Sequence, residues 1–281
     1  MEHSLIVNAD DYGLTPGVSA GIRHAALQGI VTSTTAMMNM PDAAPELPKA
    51  LAQCPSLGIG VHLTLTVGKP LLSPSKVPSL VDEQGNFFHR EAFIKHLPLI
   101  NAKEAHAEWT AQVEEFVRVT GLKPDHLDSH HHSSYYTPDL FENMLELAAL
   151  YGCPIRYPYN DLSSSKEFLP GKDTEKDYAT VQMLTEKYQP ERPSHFSPDF
   201  YAETADREHL VSILEQLSQS DYKCWEIMCH PAEVDEALRQ ISSYAEPRET
   251  ELKVLTDPSI KVVLQKGQIR PISYLEVATR Q

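Results

Sequence analysis

The sequence predicts an α/β fold in one domain, a distorted, TIM-like (β/α) barrel with mostly parallel strands. Three observations carry that expectation. First, short apolar runs alternate with longer helix-compatible segments, the pattern of a parallel sheet jacketed by helices. Second, ionisable side chains recur where those runs end: Asp10 and Asp11, His62, His130 and His230. The C-terminal ends of barrel strands are where such folds assemble chemistry. Third, polar residues share single strand faces under period-two alternation. His62, Thr64 and Thr66 oppose Val61, Leu63 and Leu65; His126, Asp128 and His130 fall together; Glu226 and His230 oppose Trp225, Ile227 and Cys229. An open sheet meets helices on both faces and reads apolar on both. A barrel lumen near its mouth need not.

Each element has its own signal. Ser4–Ala9 is a compact apolar strand, and Thr15-Pro16 caps a helix that runs to about Gln28 and closes at Gly29. Val31–Asn39, rich in Thr and apolar residues, reads as a strand. Ala43–Gln53 is a proline-interrupted helix and Leu57–Thr66 a third strand. Residues 67–90 and 160–193 break the rhythm as loop insertions, the second with one helix at Thr174–Tyr188. Connections that long inside a compact domain are usually functional or mobile. Between them lie helices at Glu91–Leu97, Ala102–Thr120 and Pro138–Tyr151, with strands at Asp125–His130 and near Ile155–Tyr157. A short strand at Ser194–Phe196, a helix at Asp206–Gln219, a strand at Lys223–Cys229 and a helix at Pro247–Leu255 follow. Ile260–Val263 and Ile269–Ser273 close the chain.

A barrel of this length is ordinarily a single domain, here residues 1–281. The 24 basic and 39 acidic residues leave a net charge of −15, which argues against nucleic-acid or anionic-membrane partners. Met1-Glu2-His3-Ser4 lacks the basic start of a signal peptide, and no stretch approaches the roughly 20 apolar residues of a membrane span. Cys54, Cys153, Cys224 and Cys229 form no CxxC pair and no disulfide framework. These features predict a cytoplasmic protein.

Asp11, His62 and His130 offer one oxygen and two nitrogens, a set that holds a divalent cation and leaves positions for water and substrate. Coordination lowers the pKa of water from 15.7 toward roughly 7. Asp10 is the expected base and His230 the expected proton donor to the leaving group, each worth roughly 10²–10⁴-fold. Arg156, at the end of a predicted strand, contacts substrate or forms a surface salt bridge; Tyr12 and Glu226 are assigned to substrate contact. Asp128 and His126 are expected to support the ligands, and His131 and His132 to be supporting or exposed, because neighbours on a strand alternate faces. Each signal alone has a plainer reading. Asp10-Asp11 also suits a turn, His62 a packed core histidine, and His230-Pro231 a simple strand end. Their joint placement at four strand ends favours an enzyme.

Five ordered stretches resemble the YdjC-type carbohydrate deacetylases, the group that includes chitooligosaccharide deacetylases. They are Ile6–Leu14 (IVNADDYGL), Gly29–Ala36 (GIVTSTTA), Gly60–Thr66 (GVHLTLT), His126–His132 (HLDSHHH) and Glu226–Pro231 (EIMCHP). The resemblance implies a distorted barrel, often a homodimer, with one divalent metal, Mg²⁺ or Zn²⁺, on Asp11, His62 and His130. It also implies Asp10 as base, His230 beside the reacting group, and hydrolysis of the N-acetyl group of a chitin-derived oligosaccharide. The chain departs from the family at Ser133-Ser134-Tyr135-Tyr136, where members often carry a further His or aromatic residue. The rival enzyme readings are a metal-dependent phosphoesterase, which wants two metals and basic groups, and a sugar isomerase, which wants more carboxylates. The rival without turnover is a sugar- or metal-binding barrel, which has no use for Asp10 as a base.

Overall fold

The structure is a computed structural model that describes residues 3–171 and 173–277; the expected domain limits at 1 and 281, and Met1-Glu2 of the leader reading, lie outside them. The first half carries β1 (His3–Tyr12), α1 (Pro16–Gln28), β2 (Ser33–Ala36), α2 (Ala43–Gln53) and β3 (Gly58–Leu63). Next come α3 (Arg90–His96), α4 (Ala102–Thr120), β4 (Leu127–Ser129), α5 (Pro138–Tyr151), α6 (Leu162–Ser165) and α7 (Thr174–Tyr188). The chain ends with β5 (His195–Ser197), α8 (Arg207–Gln219), β6 (Cys224–Cys229), α9 (Glu236–Ile241), α10 (Glu246–Leu255), α11 (Pro258–Lys266) and β7 (Ile269–Pro271).

The strands form one parallel sheet in the order β4-β3-β2-β1-β6-β5, with β7 also paired to β1. Surrounded by helices, it is a half-barrel, the distorted TIM-like arrangement that the sequence predicts. The expected strand at Ile155–Tyr157 reduces to a single parallel bridge from Ile155 to Leu127. The chain there links the two ends of the sheet, β4 and β5. Ile155 N donates to Glu191 O, and Asn160 exchanges two hydrogen bonds with Phe196 of β5 through its side-chain amide.

Helix boundaries follow local chemistry. Thr15, Asn101, Thr137 and Asp173 each accept a backbone N–H with their side chain, capping α1, α4, α5 and α7. Gly121 and Gly152 end α4 and α5 in the left-handed region. Strands β2, β3 and β4 are shorter than the sequence suggests, because apolar continuity persists beyond the last ladder bond. Ile260–Val263 lies inside α11. Residues 67–90 contain a 3₁₀ turn at Pro74–Lys76 and an antiparallel bridge from Val81 to Phe87, and α3 begins at their end. Close approaches require glycine at Gly60 and Gly21, among other positions. A Cβ on Gly60 would stand 2.4 Å from His126 O, and one on Gly21 would stand 2.4 Å from Ala232 Cα.

Candidate metal and acid–base site

Asp10 and Asp11 sit near the end of β1, where the register with β2 shifts between Ala9 and Tyr12. Asp11 has φ 73°, a left-handed backbone that Asp tolerates better than most residues. That step breaks the strand alternation. Both carboxylates therefore line the same cleft, of about 320 Å³, together with His62, His130, His230 and Tyr201. A larger groove of about 530 Å³ opens at the N-terminal ends of the strands, but among the described residues Lys261 and Glu276 are its only charged lining residues.

Asp11, His62 and His130 converge. Their ligand atoms all lie within 4.8 Å of one another. His130 Nδ1 is 2.8 Å and His62 Nε2 3.4 Å from the same oxygen, Asp11 Oδ1. The surrounding residues fix that orientation. Asp128 Oδ1 lies 2.6 Å from His62 Nδ1, so the opposite nitrogen faces Asp11. Arg248 Nη2 donates to Asp11 Oδ2 at 2.6 Å, which leaves Oδ1 for the histidines. Two imidazoles and one carboxylate oxygen, each held from behind, fit a divalent cation. Burial opposes charge on His62, yet Asp128 and Asp11 outweigh it and push its pKa up to about 10. A cation would take the place of that proton.

Asp10 is gripped differently. Arg156 donates to Asp10 Oδ2 from Nη1 and to Oδ1 from Nη2, both at 2.7 Å, and Asn8 Nδ2 donates to Oδ1 at 2.8 Å. Burial alone would raise the Asp10 carboxyl, but the Arg156 guanidinium holds it well below the usual carboxylate range. His230 Nε2 stands 4.0 Å from Asp10 Oδ2. Burial pushes His230 down to about 4. Its backbone N–H donates to Glu251, whose other oxygen accepts from Tyr244 OH. A second cluster, Asp10–His62–Asp128, also has ligand spacing. The Arg156 guanidinium already occupies it, 2.7 Å from Asp10 and 3.0 Å from Asp128.

The remaining expected site residues lie behind the cleft. Arg156 is 0 % exposed, so it is neither a surface ion pair nor open to the cleft in this structure; Asp10, Asp128 and Glu226 surround it. Glu226, also 0 % exposed, accepts from Arg156 Nε and from Tyr274 OH at 2.8 and 2.5 Å. Tyr12 is buried and its hydroxyl donates to Glu46 O, tying β1 to α2. None of these three lines the cleft. His126 and Asp128 are buried, Asp128 against His62 and His126 between Asp125 Oδ1 and Asn8 Oδ1. His130 does not continue the strand face. It opens a kinked 3₁₀ segment, His130–Tyr135, in which His131 and His132 are left-handed, and neither joins the Asp11–His62–His130 cluster.

Sequence reasoning missed Arg248, Glu251, Asn8, Tyr201 and Tyr244. Asn8 was within reach, since it shares the inward β1 face with Asp10 two residues on. Arg248 and Glu251 sit on α10, where nothing in the pattern separates an inward charge from a solvated one.

Fold and site together define a parallel half-barrel whose strand ends carry an Asp/His cluster compatible with a divalent cation. The chain belongs to the YdjC-like protein family, which it matches over residues 4–266. It is 36% identical over 277 residues to the carbohydrate deacetylase of Enterococcus faecalis, 98% of both chains being covered. It is likewise 36% identical to the chitooligosaccharide deacetylase of Salmonella paratyphi B, covering 99% of this chain and 100% of that one. The crystal structure of EF3048 from Enterococcus faecalis V583 superposes with a TM-score of 0.86 at 34% identity, covering 99% of each chain.

Proposed function

We propose that this protein is a metal-dependent hydrolase that removes N-acetyl groups from N-acetylglucosamine-containing, chitin-derived oligosaccharides. The observation that carries the reading is the convergence of Asp11, His62 and His130 on one point, with Asp10 and His230 beside it. The substrate class is supported by the relatives named carbohydrate deacetylase and chitooligosaccharide deacetylase. Asp11, His62 and His130 would hold one divalent ion, Mg²⁺ or Zn²⁺. When bound, such an ion polarises a carbonyl and lowers the pKa of water toward roughly 7.

The chain's own groups move the protons. Asp10, kept ionised by Arg156, accepts a proton from the attacking water; its strength as a base is modest, and its value lies in fixed placement. His230, neutral in the resting protein near pH 7, is free to take that proton across the 4.0 Å gap and deliver it to the departing amine. The C–N bond breaks, and acetate and a free amine leave. A phosphoesterase with two cations is disfavoured because Arg156 fills the second cluster.

Cytoplasmic residence and a homodimer belong to the same proposal. The four free cysteines support the first and the family resemblance the second. The test is incubation of metal-loaded protein with N,N′-diacetylchitobiose and longer oligomers, followed by mass spectrometry for loss of acetyl and by acetate assay. Activity lost to a chelator and restored by a divalent ion is the expected result. Intact sugars after incubation with the loaded protein would sink the reading.

A further inference from the structure

Arg248 comes from α10, away from every strand that supplies the site, yet the residue is only 4 % exposed and lines the cleft. Its guanidinium is engaged on two sides. Nε donates to Tyr244 O at 2.9 Å and Nη2 to Asp11 Oδ2 at 2.6 Å. The third nitrogen, Nη1, is buried and has no hydrogen-bond partner among the described residues. A buried donor without an acceptor is destabilising, and such orphans call for a missing partner such as a ligand or water. This one shares a rigid plane with the nitrogen that holds Asp11. It therefore sits at the edge of the very carboxylate whose other oxygen faces His62 and His130.

The chemistry of the missing partner follows from charge. A guanidinium stays protonated at any working pH. Its surplus N–H gains most where negative charge appears only as the reaction proceeds, because an interaction that strengthens on the way to the transition state raises the rate. A sugar hydroxyl develops no such charge. Amide hydrolysis places one on the acetyl oxygen, at the reacting centre beside Asp11. We infer that Arg248 is a catalytic residue whose Nη1 donates to the acetyl oxygen of the substrate and stabilises the oxyanion, in addition to holding Asp11. The inference rests on the deacetylase reading above.

The test compares wild type with Arg248→Lys and Arg248→Ala at saturating divalent cation. It measures kcat and KM for acetate release and, independently, cation affinity by calorimetry. Lysine retains one cationic donor for Asp11 but cannot span to a second acceptor. Arg248→Lys is expected to bind the cation, keep its KM and lose roughly 10²–10³-fold in kcat, the usual effect of removing one oxyanion donor. Added guanidinium should restore part of the kcat of Arg248→Ala. If that variant fails to fold, Arg248→Lys alone decides. The inference is overturned by a wild-type kcat in Arg248→Lys at saturating cation, or by a loss confined to KM. It is equally overturned if Arg248→Lys cannot be saturated with cation at all, since holding Asp11 then accounts for everything. Failure of wild type to release acetate sinks the deacetylase reading instead, so the two failures are separable.

Discussion

Replacing Asp10 by asparagine removes one charge from the acid–base pair while nearly keeping its shape. Asp10 accepts two hydrogen bonds from Arg156, both at 2.7 Å, and one from Asn8 at 2.8 Å. An amide has a single oxygen, so one of the Arg156 bonds is lost and an NH₂ faces the guanidinium. Breaking a buried pair outright costs about 3–5 kcal/mol. Arg156 still keeps Glu226 at 2.8 Å and Asp128 at 3.0 Å, so its charge is not abandoned. The expected loss is that of one charged hydrogen bond, about 2 kcal/mol. In a chain of this size that lowers Tm by about 3–4 °C. Turnover should suffer far more, falling roughly 10²–10⁴-fold with the base gone. Cation affinity should stay near wild type, because neither Asp10 oxygen belongs to the Asp11–His62–His130 set. Acetate release at saturating cation, calorimetric cation titration and a thermal melt measure the three effects. A variant that bound cation and turned over at the wild-type rate would refute Asp10 as the base. One that lost the cation would make Asp10 a ligand instead.

Three further outcomes are expected. Asp128→Ala frees His62 Nδ1 from its 2.6 Å partner and should weaken cation binding roughly 10–100-fold by calorimetry; unchanged affinity would show that the ring is positioned by packing alone. Burial pushes Glu251 from 4.5 up to about 7, so the folded state holds this proton more tightly than the unfolded chain does. Its contribution to stability is therefore fully present below about pH 4.5 and declines toward pH 7, by at most about 3 kcal/mol. Denaturant titrations at pH 5 and pH 7.5 should show a flatter slope in Glu251→Gln, and an identical slope speaks against the assignment. Gly60→Ala would put a methyl 2.4 Å from His126 O and force β3 from β4, costing about 1–3 kcal/mol in a melt; a neutral result means the strands part freely.

The helices were legible because their ends are written in side chains. Thr15 caps α1 where the sequence places it, and α4, α5 and α7, capped by Asn101, Thr137 and Asp173, begin and end as expected. α9 and α6 escaped because six and four residues are too few to show a period. The convergence of Asp11, His62 and His130 was readable from strand ends, since parallel topology gathers those ends on one edge. Arg156 was visible as a residue but not as a partner. A sequence cannot distinguish a guanidinium that reaches the cleft from one sealed among three carboxylates. The distinction depends on long-range packing, including Phe196, whose ring centroid lies 5.0 Å from the guanidinium carbon.

The left-handed residue in the first strand has a consequence for engineering. Two consecutive acids on a regular ribbon would aim at opposite layers, one inward and one beneath the helical jacket, where a naked charge would unfold the host. Transplanting this centre to another parallel barrel therefore means grafting the irregular backbone before the side chains. The order Asp-Asp is then a matter of geometry: exchanging the roles of the two neighbours would require moving the kink by one residue.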